Sequence, residues 1–370
     1  MKNSLICGLL LILACLPASS FGAKVSGLYE AEVKVFSQKR SERSLAMISA
    51  LAEVLAKASG QRDAFKVGNV SKAAKRPARY LQQYSYRALS DEERQRDLDS
   101  ANPGAEPQIV LFRFDKAAVD KLLRDNDLPV WGSTRPATLV WLAVEDEGRQ
   151  YMVGSDSIEP LRKQLLRESR RRGLAALLPL MDLQDQGALS FSDVWGGLSD
   201  SINQASLRYK AEAVMVGRLY RPRGGEWQGQ WTLMENGTLQ SWRGVGVLPG
   251  ELLDEGVAGA IDVLASRYAP AAGLQTGFLP VTVTSVRNLD DYARVSRYLK
   301  SLQQVSQLHT SRVEADRITF ELDMRGSPES FSKTVSLGNI LTPYQALPGE
   351  TGEAAVSWAS SFSQVYQLLP

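Results

Sequence analysis

Residues 213–247, AVMVGRLYRPRGGEWQGQWTLMENGTLQSWRGVGV, decide the fold class of the chain around them. They predict three strands, Ala213 to Tyr220, Trp227 to Met234 and Thr238 to Val247, with turns at Arg223-Gly224-Gly225 and Asn236-Gly237. An Asn-Gly pair between two alternating segments is the strongest short-range signal for a β-hairpin. The stretch therefore predicts an antiparallel hairpin within a larger sheet.

The residues on both sides of this hairpin predict a central α/β domain over 137–270. Thr138 to Val144 is an apolar strand, and a helix capped by Ser157 is expected to run to Arg172. Further helices are expected over Ser192 to Arg208 and Leu252 to Tyr268. Strands that first alternate with helices and then follow one another predict a mixed α/β unit.

The two outer segments, 23–128 and 276–342, each predict the element order β-α-β-β-α. This is the order of a split βαβ, ferredoxin-like unit. The predicted fold class is therefore multidomain α+β and α/β, with two ferredoxin-like (βαββα) units flanking the central α/β domain and its antiparallel hairpin. Residues 129–136 hold several helix and strand breakers and are interpreted as a linker. Residues 343–370, rich in Gly, Ser and Ala, are expected to form a flexible tail.

The start of the chain predicts a signal peptide over residues 1–22. Lys2 supplies a positive charge, Leu5 to Leu16 is apolar, and small residues precede an expected cut after Gly22 or one residue later. The apolar run is shorter than the roughly 18 residues that a membrane-spanning helix needs. We therefore expect a periplasmic protein. Alternatively, Ile12-Leu13-Ala14-Cys15 resembles a lipobox, in which Cys15 would carry a lipid.

Composition argues against several classes of function. Lys and Arg number 43 against 41 Asp and Glu, so the net charge of +2 provides no overall field that would gather nucleic acid. The only cysteines, Cys7 and Cys15, lie in the predicted signal peptide, and His309 is the only histidine. Cysteine nucleophiles, zinc sites and histidine bases are therefore disfavoured, and no metal or other cofactor is expected. His309 itself is interpreted as an ordinary strand residue.

Two sets of residues are candidates for ligand contact in the central domain. Asp182 and Asp185 follow an apolar segment and could hydrolyse a glycosidic bond as a carboxylate pair; alternatively they cap a helix or end a solvated loop. Trp227 and Trp231 lie four residues apart on one strand, hence on the same face, and Trp242 on the next strand could join them. Such a shelf could stack a sugar ring or receive a peptide; alternatively it is core beneath a helix.

A third candidate is the basic outer face of the helix that ends near Arg172. It could contact phospholipid head groups or an acidic partner; alternatively it is a solvated face balanced by Glu159 and Glu168. Its cationic residues are Arg162, Lys163, Arg167, Arg170, Arg171 and Arg172.

A series of short stretches carries a resemblance to a known family. They are Trp131-Gly132, Arg135-Pro136, Val140-Trp141-Leu142, Arg172-Gly173, Leu178-Pro179-Leu180-Met181-Asp182, Asp193-Val194-Trp195-Gly196, Ala205-Ser206, Arg208-Tyr209 and Val216-Gly217-Arg218-Leu219. With them the chain resembles an uncharacterised family of secreted gammaproteobacterial proteins, the domain of unknown function DUF2066. The central domain also resembles the amino-terminal domain of the translocation protein TolB and of curli-secretion lipoproteins, in which a strand ending in Val-Gly precedes a hairpin. These resemblances imply envelope assembly by protein contacts, as an analogy of fold.

The sequence thus favours an exported, non-catalytic protein that binds another envelope component, a protein or a glycan, through its central domain. The alternative from another class is a carboxylate-dependent hydrolase of envelope glycan that uses Asp182 or Asp185.

Overall fold

The computed structural model describes residues 22–91, 93–94, 106–270, 275–344 and 364–370, the side chains of 275 and 276 excepted. The predicted signal peptide, apart from Gly22, and the lipobox with Cys15 lie outside the described residues. No helix in the described part of the chain is long and apolar enough to cross a membrane.

The N-terminal unit is a three-stranded antiparallel sheet in the order β2-β4-β3. Its long helix α1 ends at Gly60, which adopts the left-handed conformation (φ 72°) that glycine allows without strain. Strand β4 thus lies between β2 and β3 and is antiparallel to both, which does not conflict with the predicted β-α-β-β-α connection. The elements are β1 (Ala23–Lys24), β2 (Glu30–Val35), α1 (Arg40–Ser59), α2 (Gly68–Ala74), β3 (Leu81–Ala88), β4 (Gln108–Phe114) and α3 (Lys116–Arg124).

The central unit is a mixed sheet in the order β11-β10-β9-β6-β7, with the short β8 also paired to β6. Strands β8 and β9 run parallel to β6, whereas β7, β10 and β11 are antiparallel to their neighbours. The elements are β5 (Thr134–Arg135), β6 (Ala137–Asp146), β7 (Arg149–Val153), α4 (Pro160–Arg172), β8 (Ala175–Leu177), α5 (Leu183–Ala188), α6 (Phe191–Gly196), α7 (Ser199–Ser206), β9 (Ala213–Arg221), β10 (Trp227–Glu235), β11 (Thr238–Gly246) and α8 (Pro249–Tyr268).

Helices cover the two faces of this sheet to different extents. On one face α4 and α8 bury a core that includes Leu142 and Trp231. On the other face α6 and α7 bury a smaller core around Trp141. The smaller core reaches only part of the sheet, which leaves the outer strands of that face accessible.

Three local predictions differ from the structure. The single helix expected over Ser192 to Arg208 is interrupted at Gly196-Gly197, because Gly197 takes a left-handed conformation (φ 69°) and ends α6. Ser157 accepts the N–H of Gly154 at 2.7 Å instead of capping α4, which begins at Pro160. Strand β7 was not predicted.

The C-terminal unit is a five-stranded sheet in the order β13-β14-β12-β16-β15. Its elements are β12 (Gln275–Thr284), α9 (Leu289–Ser301), β13 (Val305–Val313), β14 (Arg317–Arg325), α10 (Pro328–Ser336), β15 (Leu341–Pro343) and β16 (Gln364–Leu368). The mixed multidomain fold class is thereby confirmed.

The prediction of a flexible tail over 343–370 is wrong for the last part of this segment, where Gln364–Leu368 forms β16. Strand β16 lies inside the sheet, parallel to β12 and antiparallel to β15. Tyr366 and Leu368 are buried, which supplies the reason: both side chains complete the core of this unit. Residues 345–363 lie outside the described residues.

The interpretation of 129–136 as a linker is also wrong, because the segment is packed between the first two units. Trp131 is buried, and its N–H donates to the carbonyl of Ala58 in α1 at 2.7 Å. Arg135, only 1% exposed, donates to the carbonyls of Lys57 (2.7 Å) and Gly173 (2.8 Å), at the ends of α1 and α4. Burial lowers the pKa of Arg135 to about 9, so it stays charged at neutral pH.

Candidate functional site

The three candidate tryptophans belong to the sheet face that α8 covers. Trp231 and Trp242 are directly paired across β10 and β11, as the sequence suggested. Trp227 and Trp231 are 5% and 0% exposed, so neither ring is open to a ligand. For these two the shelf alternative is wrong, and they belong to the core beneath a helix, the other alternative from the sequence. Trp242 is half-buried and packs against the same core.

Glycines explain why the tryptophan rings are sealed. A Cβ added to Gly217 or Gly256 would lie 2.3 Å from the ring of Trp231, on the strand side and on the helix side respectively. A Cβ added to Gly259 would lie 2.4 Å from the ring of Trp242. The helix can therefore approach the sheet closely, and the rings fill the space between them.

The candidate carboxylates Asp182 and Asp185 are held in a closed network at the start of α5. Arg208 donates from one nitrogen to Asp182 and Asp185, each at 2.8 Å, and from the other nitrogen to Asp182 at 3.0 Å. Asp185 also accepts from Tyr209 and from the N–H of Met181. Asp182 caps α5 by accepting the N–H of Asp185, which is the cap alternative raised by the sequence.

The charges of this network do not suit glycoside hydrolysis. The pKa of Asp182 is lowered to about 2, mainly by the hydrogen bonds from Arg208 and secondly by the bond from the N–H of Asp185. A general acid in glycoside hydrolysis needs a raised pKa instead. Burial, then the bond to Asp185, raises the pKa of Tyr209 to about 12. The arrangement is that of a structural cap, with every polar atom of the two carboxylates engaged toward the protein.

The candidate basic face of α4 is largely paired. Arg167 contacts Glu168 at 3.1 Å, and Arg171 bridges Glu168 and Glu53 of α1 at 2.9 and 3.2 Å. Arg172 binds Asp254 of α8 at 3.1 Å. Arg162 is half-buried, and Arg170 remains exposed. The pairs of Arg171 with Glu53 and of Arg172 with Asp254 join α4 to its neighbours, so the structure does not present the uniform cationic surface that a membrane would attract.

A surface that sequence reasoning did not identify lies on the opposite side of the sheet from α8. We call it the open face. It consists of the partly or fully exposed side chains of β9, β10 and β11 that point away from α8: Arg218, Tyr220, Gln228, Gln230, Thr232, Leu239, Ser241, Arg243 and Val245.

A row of three residues crosses the middle of the open face. Gln230 is paired with Arg218 on one side and with Arg243 on the other, so the two guanidinium groups flank one amide. Within the described part of the chain, neither arginine has a carboxylate at ion-pair distance. The pKa of Arg218 is lowered mainly by burial and, to a smaller extent, by the positive charge of Arg243. The row can therefore bind an anionic group, which would relieve the repulsion between the arginines.

Aromatic residues border the open face where α6 ends. Phe191 and Trp195 are stacked, with ring centroids 5.2 Å apart, and Tyr220 meets Trp195 edge-on at 6.1 Å. Arg218 donates to the carbonyl of Trp195 at 2.7 Å, which fixes the arginine against the helix end. The site is thus a flat polar surface with an aromatic wall, a composition typical of protein-binding surfaces.

Part of this surface could have been found from the sequence. A two-residue Asn236-Gly237 turn pairs Glu235 with Thr238, and counting back from there places Gln230 opposite Arg243. The pairing of Arg218 depends on the longer β9–β10 loop. How much of the sheet α6 and α7 cover depends on tertiary packing, so no sequence pattern predicted that this face is exposed.

A second accessible feature is a cleft of about 670 Å³ between the end of α1 and α8. It is lined by charged residues that already pair, since Arg62 reaches Glu255 at 3.4 Å and Asp262 at 3.6 Å. Burial raises the pKa of Asp262. No group of three or more His, Cys, Asp or Glu residues in the described ranges could hold a metal ion.

Comparison with known proteins finds two matches, both outside the central unit. Residues 22–132 match a family described as Domain of unknown function (DUF8605). Residues 279–368 match the family DUF2066, which supports the resemblance to a family of unknown function but places the match in the C-terminal unit. No curated protein matches the chain. The likeness of the central unit to TolB stays a prediction.

Proposed function

We propose that the protein is an exported, non-catalytic envelope factor that binds an acidic surface of another envelope protein through the open face. The observation that carries this proposal is the Arg218–Gln230–Arg243 row, because its two arginines have no carboxylate at ion-pair distance among the described residues. The Asp182 and Asp185 network supports a binding role over hydrolysis, since its acids are tied to Arg208.

The partner's chemistry follows from the shape and charge of the open face. A face three strands wide can accept a flat protein surface, and two arginines require carboxylates opposite them for a favourable contact. Hydroxyl and amide groups such as Thr232 and Gln228 supply hydrogen bonds at the rim. Association should therefore weaken as salt is raised.

Photocrosslinking in living cells tests this proposal. A photoreactive amino acid at Gln230 is expected to capture one envelope protein repeatedly, and the capture should disappear in an Arg218→Gln, Arg243→Gln background. The same photoreactive residue at Asn203, which is exposed on α7 and is not part of the open face, is the matched control. Equal capture at both positions, or cosedimentation with peptidoglycan that survives both arginine substitutions, would contradict the proposal.

Export needs a separate measurement. Cell fractionation followed by N-terminal sequencing should find the protein in the periplasm with Ala23 or Lys24 as its first residue. Cytosolic protein that begins at Met1 would remove the envelope part of the proposal. A lipid-modified N-terminus at Cys15 would replace the soluble form with a tethered one.

A further inference from the structure

Strand β11 forms one border of the central sheet, and its outer edge has no partner strand within the described residues. It pairs with β10 over nine consecutive residues without any register shift. An edge of this length and regularity is a template for another strand, so proteins usually interrupt it with bulges, charges or proline, or keep it short.

The other edge strands of the described sheets carry such protection. Strand β3 has one register shift and β13 has two. Strand β2 alternates charged residues, β7 has five residues and begins with Arg149, and β15 has three and ends with Pro343. Strand β11 has one charged residue, Arg243, and the exposed apolar side chains of Leu239 and Val245.

We propose that β11 pairs antiparallel with β11 of a second copy of this chain, with the twofold axis passing midway between the two copies of Trp242. This inference goes beyond the proposed function and does not depend on it. Two identical strands related by a twofold axis perpendicular to the sheet present the same face, so paired residues must lie an even number of positions apart. The axis therefore passes between the two copies of one residue, which pairs with itself.

Centring the axis on Trp242 gives the register in which apolar residues face each other. Leu239 and Val245, 59% and 65% exposed, lie three positions before and after Trp242, so each would pair with the other in the second copy. Arg243 would face Ser241, so like charges do not meet across the interface. The open faces of the two copies would then join into one continuous surface.

The helix layer also fits this arrangement. Helix α8 packs on both β10 and β11, and Gly259 lies against Trp242 near the proposed axis. With strands about 4.8 Å apart, a helix seated between the two outer strands lies about 5 Å from the axis. The two α8 helices would be about 10 Å apart, close to the usual packing distance of helices.

Charge on α8 makes the dimer sensitive to salt. Glu255 and Asp262 lie on the partly exposed side of α8, bridged by Arg62, and would approach the same acids of the second copy. Salt screens this repulsion between exposed charges. Raising the salt concentration is therefore expected to strengthen dimerisation, whereas it should weaken binding of an acidic partner to the open face.

Sedimentation equilibrium with charge-exchange variants tests the register. Leu239→Lys or Val245→Glu alone should weaken the dimer about tenfold or more, because each change occurs twice in the interface. The double variant should recover dimerisation, since each Lys would then face a Glu of the second copy. Leu207→Lys, at an equally exposed leucine just after α7, should leave the dimer unchanged.

Several results would overturn the inference. A monomer at about 0.1 mM protein, where even a weak interface of this kind is populated, would do so. So would a dimer that neither single variant weakens, or one that the double variant fails to restore. Circular dichroism of each variant verifies folding, which surface changes at these exposed positions should not disturb.

Discussion

Gly256 shows how one residue can place a whole helix. Alanine in a helix interior is normally about 1 kcal/mol more favourable than glycine. Here, however, a Cβ would meet the ring of Trp231 at 2.3 Å, and Trp231 is already bounded by Gly217 on its other side. Neither the strand nor the helix can give way without opening the core, so the glycine is required by packing and not by backbone conformation.

We therefore expect Gly256→Ala to destabilise the protein by about 1–3 kcal/mol through overpacking. Urea unfolding followed by circular dichroism measures the free energy. Gly187→Ala is the control, because Gly187 lies in α5 with no atom within 4 Å of its added Cβ, and this change should be neutral or stabilising. A Gly256→Ala protein as stable as the parent would show that the helix does not pack this closely.

At the scale of elements, α5 depends on ionised Asp182. Arg208 holds the pKa of Asp182 at about 2, below its ordinary value near 3.9, so the folded state favours the charged form. Stability from this pair is present above pH 4 and is lost as the pH falls through 2. Because Asp182 is exposed, solvent screening limits how much the ion pair with Arg208 contributes to stability.

Replacing Arg208 should make the stability of the protein less dependent on pH in this acidic range. Thermal midpoints between pH 2 and pH 6 should fall less steeply in Arg208→Gln than in the parent protein, while the Arg223→Gln control, in an exposed turn, keeps the parent slope. If the gap between Arg208→Gln and the parent were the same at pH 2.5 and pH 6, the ion pair would not be the cause.

Strand β16 shows a limit of sequence reasoning about elements. Its five residues follow a long segment rich in Gly, Ser and Ala, and local composition predicted flexibility. The strand forms because β12 and β15 provide pairing partners on both sides, which no local pattern reports. Helix α1, in contrast, is indicated by local signals, because its apolar residues recur at helical spacing and Gly60 ends it.

Tyr366→Ala distinguishes a structural strand from a flexible tail. The side chain is 2% exposed against Phe331, so its removal should cost about 3 kcal/mol or more. Hydrogen exchange should show faster exchange in β12 and β16. The neighbouring exposed Gln367→Ala should have little effect, and equal exchange in both variants would support the flexible tail instead.

For the whole molecule, the segment 129–136 was the least predictable part. Pro129, Gly132 and Pro136 correctly indicated that it forms no long helix, but breakers are equally compatible with a linker and with a buried junction. The difference arises from Trp131 and Arg135, whose partners lie in α1 and α4, far away in the sequence. The open face could not be predicted from the sequence for the same reason, since its exposure depends on where α6 ends.

Arg135 joins the first two units, so its replacement should weaken both together. The carbonyls of Lys57 and Gly173 lie at helix C-termini, where unsatisfied oxygens carry partial negative charge, and Arg135→Met would leave them buried without donors. We expect a loss of about 3 kcal/mol or more. Arg113→Met, which breaks only an exposed pair with Glu30, should cost less than about 1 kcal/mol.

Hydrogen exchange followed by mass spectrometry can separate a shared junction from a local defect. In Arg135→Met, amides of α1 and α4 should lose protection to the same extent, while β12 to β14 of the C-terminal unit keep theirs. Loss confined to α4 would mean that the N-terminal unit is stable without the junction. Because the guanidinium serves both helix ends at once, we expect the two to respond as one cooperative body.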